Sequence, residues 1–237
     1  MGSGERMSTL VDAAFRQWTA NLDTHSSLIA IFQQIRDIPY ALAATETQGI
    51  PPGERILVAG RGSCGPKHYL LAEMYRRLGV DVVFATLPFL WNDPDFQYPP
   101  KLRTLATGLP VAYHLACRVR INNRWVLVDA TWDRPLKGAG FPVNEHWDGR
   151  ADTLCAVKPL RSAIRTAFCR TATNEPCRDR REVELGSLDG ERDHGDEEDQ
   201  AQYYRQKIRI WSPDEIEHIH RFTEEFDSWL VRIRKTG

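Results

Sequence analysis

Asn122 and Asn123 separate two β-rich runs, Val111 to Ile121 and Trp125 to Thr131. A link this short leaves the chain little choice of geometry. Two-residue hairpin turns require positive φ, which asparagine tolerates well. Counting outward from that turn places His114 opposite Thr131 and Ala116 opposite Asp129. His114 and Asp129 then lie on one sheet face as diagonal neighbours, with Cα atoms about 7–8 Å apart, within reach of an imidazole and a carboxylate. A one-residue slip in register would send the two side chains to opposite faces. A carboxylate bonded to one ring nitrogen fixes the tautomer and frees the other nitrogen to take a proton. The hairpin therefore predicts a base together with the group that orients it.

Upstream, Ile56 to Ala59 reads as a short buried stretch leading into Gly60-Arg61-Gly62-Ser63, and Cys64 opens a helix. Pro66 suits the first turn of that helix and Gly79 its C-terminal end, with Leu70, Leu71, Met74, Tyr75 and Leu78 as the apolar stripe between them. A helix N-terminus favours a thiolate, and a Gly-rich approach lets a backbone N–H face a reacting carbonyl. Cys64, His114 and Asp129 thus form a candidate nucleophile, base and orienting carboxylate.

Two helical runs precede this core, one carrying Leu10, Val11, Ala14, Phe15, Trp18 and Leu22, the other Leu28, Ile31, Phe32 and Ile35, with Pro39 helping to end it. Residues 45–55 read as loop. Val80 to Thr86 reads as strand, and 88–110 as a long aromatic-rich loop that walls a site. Residues 178–200 are strongly charged and read as a linker or insertion between a catalytic domain over 7–177 and a C-terminal amphipathic helix over 201–237. Within that last segment Ser212, Pro213 and Glu215 form a capping box. Ile216, Ile219, Phe222, Phe226, Trp229, Leu230 and Ile233 follow on one apolar face that packs on the domain.

A chain of 237 residues, 42% hydrophobic and 27% charged, is long enough to fold without disulfides or metal. Its 31 Lys plus Arg balance 32 Asp plus Glu. That near neutrality gives no footprint for nucleic acid or a membrane surface. Cys64, Cys117, Cys155, Cys169 and Cys177 contain no C-x-x-C pair, so neither a structural zinc nor any other metal site is expected. Their odd number, with no signal-type N-terminus and no long apolar run, points to a cytoplasmic setting. The first six residues read as foreign to the natural start at Met7.

From about Ile56 to Asp133 the chain resembles the transglutaminase-like superfamily. The resemblance is carried by Gly62-Ser63-Cys64, by Tyr113-His114, and by the run from Trp125 through Val128-Asp129-Ala130-Thr131-Trp132-Asp133. It implies an α+β, papain/transglutaminase-like core, with the nucleophile at a helix N-terminus packed on an antiparallel sheet and with added N- and C-terminal helices. It also implies acyl-transfer chemistry by Cys64, His114 and Asp129 without a metal or organic cofactor. Two positions depart from the family pattern. Ala116 stands where a tryptophan is frequent, which would enlarge the pocket beside the base, and Ala130 stands where proline often follows the aspartate.

Around this triad, Arg61 and Lys67 are candidates to receive an anionic group, and His68, near enough to be an alternative base or a substrate contact, is read as a supporting residue. Trp91 and Trp132 are candidate walls of the acyl site. Asp133 shares Asp129's parity but lies beyond the base, and Cys117 alternates to the opposite face and packs. The expected activity is acyl transfer or amide hydrolysis through a Cys64 thioester, on a small-molecule, peptide or carrier-bound acyl substrate. Two alternatives stand beside it. One is a cyclase or amide-forming enzyme of small-molecule biosynthesis that acts on a carrier-bound chain. The other is a binding module that has kept the fold without the chemistry.

Overall fold

The computed structural model describes residues 9–43, 49–160, 192–208 and 211–236. Helices α1 (Thr9–Trp18), α2 (Thr24–Asp37), α3 (Pro52–Ala59) and α4 (Cys64–Arg77) come first. Strand β1 (Val82–Phe89), the short helix α5 (Pro100–Ala106), β2 (Ala112–Ile121) and β3 (Arg124–Val128) follow. A 3-10 turn over Arg134–Ala139, strand β4 (Arg192–His194) and helices α6 (Glu197–Ile208) and α7 (Pro213–Thr236) complete the order. The four strands form one antiparallel sheet in the order β3-β2-β1-β4. This is the α+β arrangement expected, with a helix that begins at Cys64 packed on an antiparallel sheet and flanked by added helices.

The hairpin adopts the expected register. Cys117 pairs with Val128 and Ile121 with Arg124, and Asn122 and Asn123 have φ of 51° and 60°. Alternate residues Leu115, Cys117 and Val119 of β2, with Val126 and Val128 of β3, enter a core shared with α2 and α4. A second, aromatic core gathers Tyr40, Trp91, Trp132 and Phe141 against Phe222, Phe226 and Leu230 of α7. Each fully buried side chain of this kind contributes roughly 1.5–3 kcal/mol. The exposed Lys101–Glu225 pair between α5 and α7 contributes about 0–1 kcal/mol. The apolar face therefore docks α7. Its start shows the reciprocal capping bonds, Ser212 N–H to Glu215 and Glu215 N–H to the Ser212 hydroxyl at 3.2 Å.

Several elements differ from the sequence expectation. Pro51 and Pro52 do not continue a loop: Pro52 occupies the first turn of α3, where its missing N–H costs nothing, and Ile56 to Ala59 is helical. The loop expected over 88–110 contains the end of β1 and all of α5, which starts with proline in the same way. Of the charged stretch 178–200, residues 178–191 lie outside the described residues, as do Cys169, Cys177 and residues 1–8. The remainder is ordered rather than linker: Arg192–His194 pairs with Thr86 to Phe84 of β1, and α6 begins at Glu197. The segment assigned to one C-terminal helix holds the rest of α6 and α7.

Candidate active site

Cys64 stands at the first position of α4, with Ser63 as the extended residue before it. Pro66 has no N–H, and Lys67 N–H already reaches the Ser63 carbonyl at 3.4 Å. Ser63 makes no side-chain capping bond, so the Cys64 and Gly65 amides are the donors this helix start leaves without helical acceptors. The approach is held from behind by a parallel bridge between Tyr40 and Gly62, where a Cβ on Gly62 would press on Ile56 at 3.2 Å.

His114 Nε2 lies 2.8 Å from Asp129 Oδ2, and the same imidazole borders a small cavity together with Cys64. Both His114 and Asp129 are almost fully buried. Four donors converge on the Asp129 carboxylate: His114, the Ala156 N–H at 2.7 Å, and the Thr131 N–H and hydroxyl at 3.1 and 2.6 Å. Burial works against the charge, but His114 and these bonds hold the carboxyl well below the usual range. Burial likewise disfavours imidazolium, yet the Asp129 carboxylate and the bond to Cys64 raise His114 well above its ordinary value. For Cys64 burial pushes the thiol up, and the bond and charge of His114, with the Leu115 N–H, bring it below its ordinary value. Of the influences that lower the Cys64 thiol, the bond and charge of His114 come first.

The neighbours fall into place around this pair. His68 is fully buried: it faces the Cys64 carbonyl through Nδ1 at 2.9 Å and accepts the Ala130 N–H at Nε2, 3.1 Å away. With Nε2 an acceptor, Nδ1 carries the proton, and burial draws the ring's pKa down to about 4. Both nitrogens are thus committed to protein, which removes His68 as a substrate contact and leaves it the supporting role. Lys67 is also fully buried, its Nζ donating to the carbonyls of Arg36, Ile38 and Thr131 at 2.7–2.9 Å. Three carbonyls take three N–H groups, so none is left for a substrate anion. Asp133 accepts the Tyr40 N–H and is bidentate with Arg234 of α7, both at 2.7 Å, which excludes it as the orienting carboxylate.

Two cavities meet at Cys64. The larger, of about 430 Å³, is bordered by Arg61, Ser63, Tyr69, Leu115 and Gln200. The smaller, of about 150 Å³, lies on the His114 side between Tyr40, Phe89, Trp91, Tyr113 and Trp132. Arg61 borders the larger cavity, and Trp91 and Trp132 border the smaller. Ala116 is fully buried, paired with Ala85, and borders neither cavity. Its small side chain fits the close approach of two strands and opens no pocket. Cys117 packs in the core with its sulfur 3.5 Å from the His68 carbonyl, and burial raises its thiol.

Cys155 is the residue the sequence reading missed. Its sulfur and donor atoms of His114 and Asp129 all lie within 4.8 Å of one another. No motif marks it, because it arrives on an irregular segment whose Ala156 N–H binds Asp129. Burial raises its thiol, and it borders neither cavity at Cys64, so Cys64 is the better placed sulfur. The trio offers little to a metal ion, since the Asp129 oxygens and His114 Nε2 are already engaged with one another or with N–H and O–H donors.

Fold and site together define a class: an α+β protein with a thiol at the start of a helix packed on an antiparallel sheet, and beside it a histidine of that sheet bonded to an aspartate just past the end of β3. No family model matches the chain, and no curated protein matches it. Among solved structures, a candidate cysteine protease from Cytophaga hutchinsonii is similar at 19% identity and a TM-score of 0.38. That match covers 54% of this chain and 39% of the other, so the chain spans well under half of that protein's length. Among the described residues no helix is long and apolar enough to cross a membrane.

Proposed function

We propose that the chain is a cysteine-dependent acyl-transfer enzyme or amide hydrolase of transglutaminase-like type, working through a thioester on Cys64. The observation that carries this reading is the single imidazole of His114, bonded to Asp129 through Nε2 and bordering one cavity with Cys64 at the start of α4. The thiolate attacks an acyl carbonyl, and the developing oxyanion meets the Cys64 and Gly65 amides. His114 then gives its proton to the departing atom, and Asp129 holds the ring in the tautomer this requires. Water or another nucleophile discharges the thioester, returning its proton to His114. A steady-state assay with an activated acyl ester tests the proposal. Cys64→Ala is expected to abolish turnover, and retained turnover would exclude the mechanism.

The 430 Å³ cavity beside Cys64 favours a second reading for the donor, a carrier-bound acyl chain converted to a ring or amide in small-molecule biosynthesis. Acyl-loaded carrier protein should then raise the intact mass of the enzyme by one acyl group. No gain across a panel of chains counts against it.

A further inference from the structure

Arg61 leads into the nucleophile on backbone that is pinned at both sides. Gly60, in the left-handed region at φ 65°, closes α3 with its N–H on the Ile56 carbonyl at 2.9 Å, and the Gly62 N–H reaches the Pro39 carbonyl at 3.1 Å. The guanidinium is not answered by the protein. Among the described residues Arg61 has no hydrogen-bond or ion-pair partner, and no Asp or Glu of these residues borders the 430 Å³ cavity that Arg61 helps to line.

The other cations near Cys64 are engaged. Lys67 is held by three carbonyls. Arg55 borders the same cavity as Arg61, but its Nε donates to the Ile50 carbonyl at 3.0 Å, and Glu197 of α6 lies within range of its charge. Gln200 of α6 adds a second polar group to the wall. Its side-chain oxygen accepts the Tyr69 hydroxyl, which leaves the amide N–H groups as its donors toward the cavity.

Proton transfer assigns the acyl chain to this space. The leaving atom must come within about 2.6–3.2 Å of the His114 nitrogen that protonates it. His114 borders the smaller, aromatic chamber and not the larger cavity. The leaving group therefore lies toward the chamber, and the acyl chain runs from Cys64 into the larger cavity.

We infer that the larger cavity selects acyl donors whose chain carries a carboxylate at its far end, and that Arg61 receives it. The inference rests on the Cys64 thioester proposed above and names the class of donor. A guanidinium presents a planar fork of N–H donors, which a carboxylate matches with two parallel bonds. The Gln200 amide supplies a donor for a remaining lone pair. A neutral chain end leaves Arg61 to water, and a cationic end meets like charge. Hydrogen bonds to charged groups strengthen binding about tenfold to a hundredfold, and exposed ion pairs about twofold to fivefold. Arg61 is exposed, so the selection falls where the two ranges meet.

Acylation balances without the distal group. The Cys64 sulfur–carbon bond forms, the carbon–leaving-group bond breaks, and the His114 proton goes to the leaving atom. The distal carboxylate stays ionised throughout.

The test uses the full chain and p-nitrophenyl esters of one chain length: the monoester of adipic acid, the hexanoate, and the 6-(trimethylammonio)hexanoate. Acylation is read as a nitrophenolate burst with a mass gain on Cys64, each rate divided by that of the same ester with free cysteine. The adipate is expected to exceed the hexanoate at least about fivefold, and the ammonium ester to be slowest. The adipate-to-hexanoate ratio should fall toward one in Arg61→Gln and at high salt, and should also fall in Gln200→Glu, which sets a like charge on the wall. Arg61→Lys should retain part of it. Equal rates for adipate and hexanoate, a faster ammonium ester, or a ratio that survives Arg61→Gln would overturn the inference while leaving the thioester standing. Absence of burst and mass gain with every ester would overturn the thioester, and this inference with it.

Discussion

His68 Nε2 accepts the Ala130 N–H at 3.1 Å while its Nδ1 donates to the Cys64 carbonyl. One neutral ring thereby ties the nucleophile's helical turn to the strand end that carries Asp129. His68→Ala removes both bonds and leaves a buried N–H unpaired, at a cost of about 1–3 kcal/mol. Urea unfolding is expected to show that loss, and kcat to fall with it. Because the ring titrates near pH 4, the limbs of the pH–rate profile above pH 5 or so should stay where they are in the wild type. A moved limb would mean that His68 exchanges protons in the reaction.

The His114–Asp129 bond makes a second prediction. Asp129→Asn keeps the shape and removes the charge that raises His114. Loss of a positioned base typically costs 10²–10⁴-fold, and kcat/KM is expected to drop on the order of that range. Alkylation of Cys64 by iodoacetamide should move to higher pH in the same variant, since the thiolate would lose its imidazolium partner.

Alkylation of the wild type follows from the directions of the shifts. Cys64 lies below its ordinary value and His114 above its own, so the pH range in which thiolate and imidazolium coexist is widened at both ends. Cys64 should therefore react at neutral pH, where an ordinary thiol is mostly protonated, and Cys117, raised by burial, should not. Peptide mapping after brief alkylation distinguishes them. In stability, the depressed Asp129 contributes above its unfolded value and is lost as pH falls through the folded one. The raised His114 contributes fully below its unfolded value and is lost as pH rises through the folded one.

Arg234 of α7 closes the back of the site on the buried Asp133 and also donates to the Tyr40 carbonyl at 2.9 Å. Arg234→Ala strands a buried carboxylate, which costs roughly 3–5 kcal/mol. Thermal unfolding should show a large drop. Arg234→Asn/Asp133→Asn, which removes both charges together, should recover most of it. Asp227 adds to the same hold by accepting the N–H groups of Leu42 and Ala43, so α7 frames the chamber wall as well as covering a core.

The hairpin and the helix start were legible because their signals are local. Asn122-Asn123 sets a parity that reaches His114 and Asp129, and Cys64 follows a Gly-rich turn. What was not legible depends on contacts distant in the chain. Nothing near Arg192 announces a strand, since its pairing is made with β1 about a hundred residues earlier. Arg234 and Asp133 are charges far apart in sequence that only the docking of α7 brings together. Pro51-Pro52 misled because proline both ends extended segments and begins helices. Ala116 misled because sharing a face with His114 does not mean sharing its cavity.

The central claim is a covalent acyl-enzyme on Cys64, and acid-quenched peptide mass mapping after mixing with an activated acyl donor tests it most directly. The account predicts an acyl group on the Cys64 peptide of the wild type, far slower loading in His114→Ala, and none in Cys64→Ala. An adduct on Cys155 in place of Cys64, or loading undiminished by His114→Ala, would contradict it.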